Sequence, residues 1–423
     1  MISGSVFSST PFQHENLSER YVAIYPISKS NHQYIFFSRN RLYLMYHLLR
    51  FGYFDRGIID NIYYTLSIKN SLTKQWLQSL IGGRGHPISE YTDFKDGKRK
   101  IYYINKSFAS WLLDEIQKHK DIVQDLLVTE YDGSLHSIST NNLRGGKPKS
   151  VNHHDLVTRR IASDCSRAVV QATTLEIQKS QEQPLNIQFS FPTNRVVSNI
   201  LPDATLFVNG VPFYIEYDNG TEKQWKLQSK ILRYMSNPEF RNAAIFFVFK
   251  VANKRVISKR ITTFLSNIEH SVFDGNSVLS TITRAGISIY GYPIINATKQ
   301  IGVSIVNSMD LASPQPLTVG KLNGGSSFPY EAEAVTIPHL ENDFLYFVDV
   351  LNEYYESETI PVLSIEYGKA GNETLLREIY DRYHSSFDHI ALLFTASVSE
   401  QFQEFDYGGY YIPIYFDESE DLN

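Results

Sequence analysis

Leu201 to Glu222 reads LPDATLFVNGVPFYIEYDNGTE: a Pro-Asp step, an apolar run, a short turn, and a second apolar run closed by acids. Few arrangements satisfy that pattern. Two apolar runs of strand length joined by a short turn predict adjacent strands. Asp203, Glu216 and Asp218 then fall at neighbouring strand ends. Carboxylate oxygens are the ligands that hard divalent cations prefer. Phosphodiester hydrolysis needs such cations to activate water and to neutralise developing charge. The pattern therefore raises Asp203, Glu216 and Asp218 as ligands of one Mg²⁺ (Mn²⁺ as substitute), joined by a strand carbonyl such as that of Tyr217. The plain alternative is a solvated strand-end cluster with Asn219-Gly220 as a turn and Thr221 as a helix cap.

The flanking patterns extend the frame. HHDLVTRRIASDCSRAVVQATTLEI predicts a long amphipathic helix with Leu156, Ile161, Val169 and Val170 on its apolar positions. LNIQFSF, DATLFVN and VPFYIEYD predict three short strands, TEKQWKLQSKILRYMSN a helix, and AAIFFVFKV a buried strand. A helix near 258–270 and a strand ISIYGYPI follow. This order resembles the core of the restriction-endonuclease-like fold, whose signature is Pro-Asp, a spacer, then acid-x-Lys. Asp218 stands where that lysine is expected. The next helix carries Lys223, Lys226 and Lys230, the last two one turn apart on one face. Either a displaced lysine serves the pocket or Asp218 supplies a third carboxylate. His153 and His154 are helix-start residues or catalytic candidates.

Charge is distributed unevenly. Residues 39–106 hold twelve Lys/Arg against five Asp/Glu, a local balance of +7 in a chain whose net charge is −5. A basic module on an acidic body is a common layout for a DNA-binding head. SRNRLYLMYHLLRFGYF, DRGIIDNIYYTL with Asp55 as N-cap, and a third segment from about Ser71 to Gly82-Gly83 predict three helices. ISEYTDFKDGKRKIYYI predicts a hairpin turning at Asp96-Gly97. Three helices and a basic hairpin is the winged helix-turn-helix order. It points Ser71, Thr73, Lys74 and Gln75 at base edges in the major groove, and Lys98, Arg99 and Lys100 at phosphates or the minor groove. A small helical domain with a solvated hairpin, or a protein-binding winged helix, fits the same pattern.

Cys165 is the only cysteine, so no intrachain disulfide is expected. No apolar run approaches the roughly 20 residues that span a bilayer. The N-terminal residues lack a basic stretch followed by an apolar core, so no signal peptide is expected. The expectation is a cytoplasmic protein with no membrane partner.

The chain is identified here as resembling the replication-relaxation family of plasmid and mobile-element proteins. The residues that carry the likeness are His153-His154-Asp155-Leu156, Pro202-Asp203-Ala204, Glu216-Tyr217-Asp218-Asn219-Gly220-Thr221-Glu222, Lys230 and Tyr234. It covers roughly residues 35–295. The resemblance implies a winged helix joined to a nuclease-like domain, makes an acid at position 218 usual, and favours Lys230 as the displaced lysine. Its members are linked to plasmid replication, mobilisation and DNA relaxation.

The expected organisation is an α/β multidomain chain. Residues 1–34 form an N-terminal extension, 35–130 a winged helix, 131–151 a Gly/Ser/Asn-rich linker, and 152–305 a restriction-endonuclease-like α/β domain. A second linker spans 306–334, and 335–423 form a small C-terminal α/β domain of helix–strand–helix–strand order. There, IPVLSIEYGKAGNETLLREIYDRYHSSFDHIALLF echoes VPFYIEYDNGTEKQWKLQSKILRYMSNPEFRNAAIFF. It reads as a degenerate second copy, or as chance similarity between two strand–turn–helix units. With no Pro-Asp partner strand, no catalysis is expected at Glu366 and Lys369; a protein-binding or dimerising role with other proteins of the same element is expected instead. Three functions follow: a double-stranded-DNA-binding protein of a mobile element, an active Mg²⁺-dependent endonuclease or nickase using Asp203, Glu216, Asp218 and Lys230, or a transcriptional regulator with a non-catalytic assembly domain.

Overall fold

The computed structural model describes residues 21–28, 33–67, 74–82, 85–93, 99–118, 145–148, 151–173, 187–190, 202–250, 254–309, 344, 346–351, 357–366, 368–394 and 410–414. It is a mixed α/β chain that divides into two compact units, Met1–Tyr217 and Asp218–Asn423. The division falls inside the stretch 152–305.

The first unit opens with an antiparallel pair, β1 (Tyr21–Ser28) and β2 (Gln33–Ser38). Ala23, Tyr25, Ile35 and Phe37 are buried, while Ile24, Tyr34 and Phe36 face out. This pair lies largely in residues 1–34, which the sequence sets apart as an N-terminal extension. YVAIYPIS is apolar at nearly every position, so the two-residue period that marks a half-buried strand is absent.

Helix α1 (Arg39–Phe51) starts where the Ser38 hydroxyl accepts the Arg41 N–H at 3.4 Å. It stops at Gly52, whose positive φ of 75° lets its N–H reach the carbonyls of Leu48 and Leu49. Asp55 caps α2 (Arg56–Ser67) as expected, its Oδ1 accepting the Ile58 N–H at 3.1 Å. Then come α3 (Lys74–Leu80) and the antiparallel pair β3 (Ile88–Asp93) and β4 (Arg99–Ile104). Phe54, between α1 and α2, adds a one-residue rung, exchanging both backbone bonds with Tyr102 at 3.1 and 2.9 Å. Helix α4 (Lys106–Lys118) packs Phe108 and Trp111 on Tyr25 and Phe37, with ring centroids 4.9–5.6 Å apart.

Helix α5 (His153–Ala172) lies against α2 across a polar seam. Arg160 Nη1 pairs with Asp55 Oδ1 at 2.9 Å, Thr65 Oγ1 meets Ser166 Oγ at 2.9 Å, and Asn61 donates to Asp164. Small hydroxyl residues let the helices approach while their polar atoms satisfy each other. β5 (Ile187–Ser190), β6 (Ala204–Val208) and β7 (Val211–Asp218) run antiparallel in succession, the last residue of β7 opening the second unit. Asn209 and Gly210 both have positive φ, 50° and 82°, the backbone of a two-residue hairpin turn whose twist matches its strands.

In the second unit α6 (Gln224–Ser236) precedes β8 (Ala244–Phe249), a strand buried along nearly its whole length. Helix α7 (Lys254–His270) leads into a miniature hairpin, β9 (Val272–Phe273) and β10 (Asn276–Ser277). Helix α8 (Val278–Arg284) follows, then β11 (Ser288–Pro293), parallel to β8, and α9 (Ile294–Ser308). The last sheet has the order β12 (Tyr346–Leu351), β13 (Ser357–Ile365), β14 (Ile390–Phe394), β15 (Tyr411–Ile414), with α10 (Asn372–Tyr383) crossing from β13 to β14. The β12–β13 pair is antiparallel and the later pairs are parallel.

The helix expected to open the C-terminal segment is therefore corrected: its first element among the described residues is β12, the antiparallel partner of β13. Glu366, Gly368 and Ala370 tie this sheet to β11. Gly291 N–H donates to Gly368 O and Ala370 N–H to Ile289 O, both at 2.8 Å, and the Tyr290 hydroxyl donates to Glu366 Oε2 at 2.6 Å. Lys369 pairs with the other oxygen of Glu366. Among the described residues no helix is long and apolar enough to cross a membrane.

Candidate functional site

Within the first unit, register builds the site. Ala204 pairs with Ile215, which sets Asp203 beside Glu216 at the joined ends of β6 and β7. Asp203 Oδ2 accepts the Tyr217 N–H at 2.8 Å, fastening the carboxylate across the hairpin end. Glu216 is 2% exposed. A buried carboxylate is costly unless paired or bonded, so this strand end is shaped for charge rather than for packing.

The first turn of α5 closes over the same end. His154 Nε2 lies 3.0 Å from Tyr217 O and 3.5 Å from Asp203 Oδ2, and its ring packs 5.2 Å from the Tyr217 ring. Facing two acceptors, Nε2 is assigned the proton. The helix start is anchored by Asn152 and Tyr53. Asn152 Oδ1 caps the His154 N–H at 3.1 Å, and the Tyr53 hydroxyl donates to Asp155 Oδ2 and Asn152 O, both at 3.3 Å. Burial pushes the Tyr53 phenol above its usual range, keeping it a donor. The Arg159 guanidinium covers its ring at 4.2 Å.

Asp218 and Lys230 belong to the second unit. The Asp218 side chain is 1% exposed. Its Oδ2 takes Arg260 Nε at 2.6 Å and Nη2 at 2.5 Å, and its Oδ1 accepts the Gly220 N–H at 2.9 Å. Arg260 Nη2 also donates to Glu222 O at 2.5 Å. A carboxylate that already neutralises a guanidinium offers little to a cation. Lys230 Nζ sits 3.3 Å from Glu222 Oε1, and Glu222 Oε2 is buried with no hydrogen-bond partner among the described residues. Thr221 is not the cap of α6: its hydroxyl and N–H both serve Asn219 Oδ1 in a local turn, and the helix begins at Gln224. Asn, with an oxygen two residues upstream, competes successfully for that hydroxyl.

Among the described residues no group of three or more His, Cys, Asp or Glu is placed to hold a metal ion. Within the first unit Asp203 accepts a backbone N–H, and within the second Asp218 pairs with Arg260.

Lys74 and Gln75 lie in the first turn of α3; their side chains, together with Ser71, Thr73 and Lys98, lie outside the described residues. Arg99 and Lys100 open β4 opposite Asp93 and Thr92. Lys100 Nζ meets Glu90 Oε1 at 3.1 Å on an exposed face, where such a pair contributes little. Sequence reasoning missed Arg260, which lies 42 positions after Asp218 without a motif to link them. For His154 the signal was present, an Asn-capped helix start, but its target was not. Comparison with protein-family models, curated proteins and solved structures finds no match for this chain.

Proposed function

We propose that this chain is a DNA-binding protein of a mobile genetic element, serving plasmid replication, mobilisation or transposition. In this reading a winged helix at 35–130 selects the site and the nuclease-like segment holds the backbone. One observation carries it: α1, the Phe54 rung, α2, α3 and the β3–β4 hairpin follow one another in winged-helix order, within the stretch that holds the basic excess. Phosphate neutralisation by Lys and Arg supplies most non-specific affinity, while the first turn of α3, with Lys74 and Gln75, supplies readout. The mobile-element setting rests on the replication-relaxation resemblance. The test is fluorescence anisotropy with a labelled duplex, comparing wild type with a Lys74→Ala/Gln75→Ala variant and an Arg99→Ala/Lys100→Ala variant. Binding weakened in both supports the reading; wild type that does not retain duplex at low salt contradicts it.

A second reading, a Mg²⁺-dependent endonuclease or nickase, is favoured by the joined ends that carry Asp203 and Glu216. It expects nicked circles from supercoiled plasmid with Mg²⁺ or Mn²⁺, lost in Asp203→Asn. Intact plasmid under both cations removes it and leaves the first reading standing.

A further inference from the structure

Helix α6 presents two adjoining rows that the carboxylate site does not use. Its sequence, QWKLQSKILRYMS, contains three cations and no acid. Lys226 and Arg233 are seven positions apart, hence on one face, and both are exposed, as is Lys223 at the helix start. Beside this row stands Trp225, 58% exposed and the most exposed aromatic side chain among the described residues, with Lys226 Nζ 5.8 Å from its ring centroid. An indole face this open, beside ammonium groups, is accessible to a stacking partner.

One turn further along, Gln228 and Leu232 form a wall of a groove between α6 and α7. Asn267, Ile268 and Ser271 form its other wall, and Phe273, half exposed on the β9–β10 hairpin, stands at its edge. The cavity is about 110 Å³. That is several times the ~10–15 Å³ a single water needs, room for a small flat ring. Apolar walls with two carboxamides and a hydroxyl suit a flat heterocycle with a donor–acceptor edge. The cationic row alongside suits phosphates.

We propose that this groove receives an unstacked base of a DNA strand whose phosphates run along Lys223, Lys226 and Arg233, with Trp225 stacked on the neighbouring base. The proposal deepens the DNA-binding reading and rests on it, adding a requirement for unpaired bases. Stacking on an aromatic side chain is tolerant of sequence, so the site takes single-stranded or locally opened DNA of any composition.

The test uses the full chain, with affinity read by calorimetry in every variant and tryptophan fluorescence as a second readout where Trp225 is present, since it is the exposed one of three tryptophans. Oligothymidine, an abasic strand of equal length and a duplex are titrated into wild type, Trp225→Ala, Trp225→Phe and Phe273→Ala. Both rings are exposed, so the core is untouched. Expected are quenching of wild type by oligothymidine, and affinity for it lowered about 5- to 150-fold in Trp225→Ala and Phe273→Ala. Partial recovery in Trp225→Phe, weak binding of the abasic strand and little change for duplex are expected as well. Equal binding of oligothymidine by wild type and both alanine variants, or of the abasic strand and oligothymidine by wild type, overturns the base site while duplex binding keeps the wider reading. Wild type that retains neither strand nor duplex overturns both.

Discussion

Asp218 Oδ2 is held by two nitrogens of one guanidinium in a place water hardly reaches. Removing one partner of a buried pair leaves an uncompensated charge, which costs about 3–5 kcal/mol. Arg260→Ala is therefore expected to lower the unfolding free energy obtained from urea titration by that order, and Arg260→Ala combined with Asp218→Asn to recover part of the loss. Equal stability of wild type and Arg260→Ala would show the pair to be dispensable. His47 gives a pH signature of its own. It is buried on α1, its Nε2 has no hydrogen-bond partner among the described residues, and burial, aided by the nearby Arg50 charge, lowers its pKa to about 3. The unfolded chain takes up a proton near pH 6.5, while the native chain stays neutral until about 3. Its stabilising contribution is thus complete above pH 6.5 and falls by about 1.4 kcal/mol per unit below it. Between pH 7 and 5 the wild type is expected to lose about 2 kcal/mol more than His47→Leu; parallel profiles would place this histidine in water.

Individual elements differ in how far they could be read in advance. The β6–β7 hairpin was legible because two apolar runs of strand length, a short turn between them and terminal acids agree, and with it the neighbourhood of Asp203 and Glu216. Helix α2 was legible from Asp55. The strand pair β1–β2 and strand β12 were not: YVAIYPIS is apolar at nearly every position, and β12 lies in a mixed aromatic and acidic stretch, ENDFLYFVDVLNEYYESE, that satisfies a helical period equally well. The ion pair of Asp218 with Arg260 was illegible because tertiary packing alone joins α7 to that turn. Helix α10 shows the same long-range dependence. Its N-terminus has Gly371 rather than a capping side chain, and Glu269 of α7 does the work, accepting from Gly371 N–H at 2.8 Å, Thr374 N–H at 2.9 Å and Thr374 Oγ1 at 2.8 Å. Hydrogen bonds to a charged group contribute about 1.5–3 kcal/mol. Glu269→Ala is expected to accelerate amide exchange across the first turns of α10 while leaving β8 protected; unchanged exchange in α10 would mean that packing, not the cap, holds its start.

For the whole molecule, a net charge of −5 is misleading by itself, since residues 39–106 are basic by +7 and the rest must sum to −12. Such asymmetry steers a polyanion toward the basic stretch and away from the acidic remainder. A DNA-binding account of this chain therefore stands on electrostatics that salt must reveal. Anisotropy of a labelled duplex titrated with the full chain across a salt series tests it most directly. The account predicts that log affinity falls linearly with log salt, with a slope of about −0.9 for each phosphate contacted, and a shallower slope for Arg99→Ala/Lys100→Ala. Duplex that stays free at low salt, or affinity indifferent to salt, would contradict it.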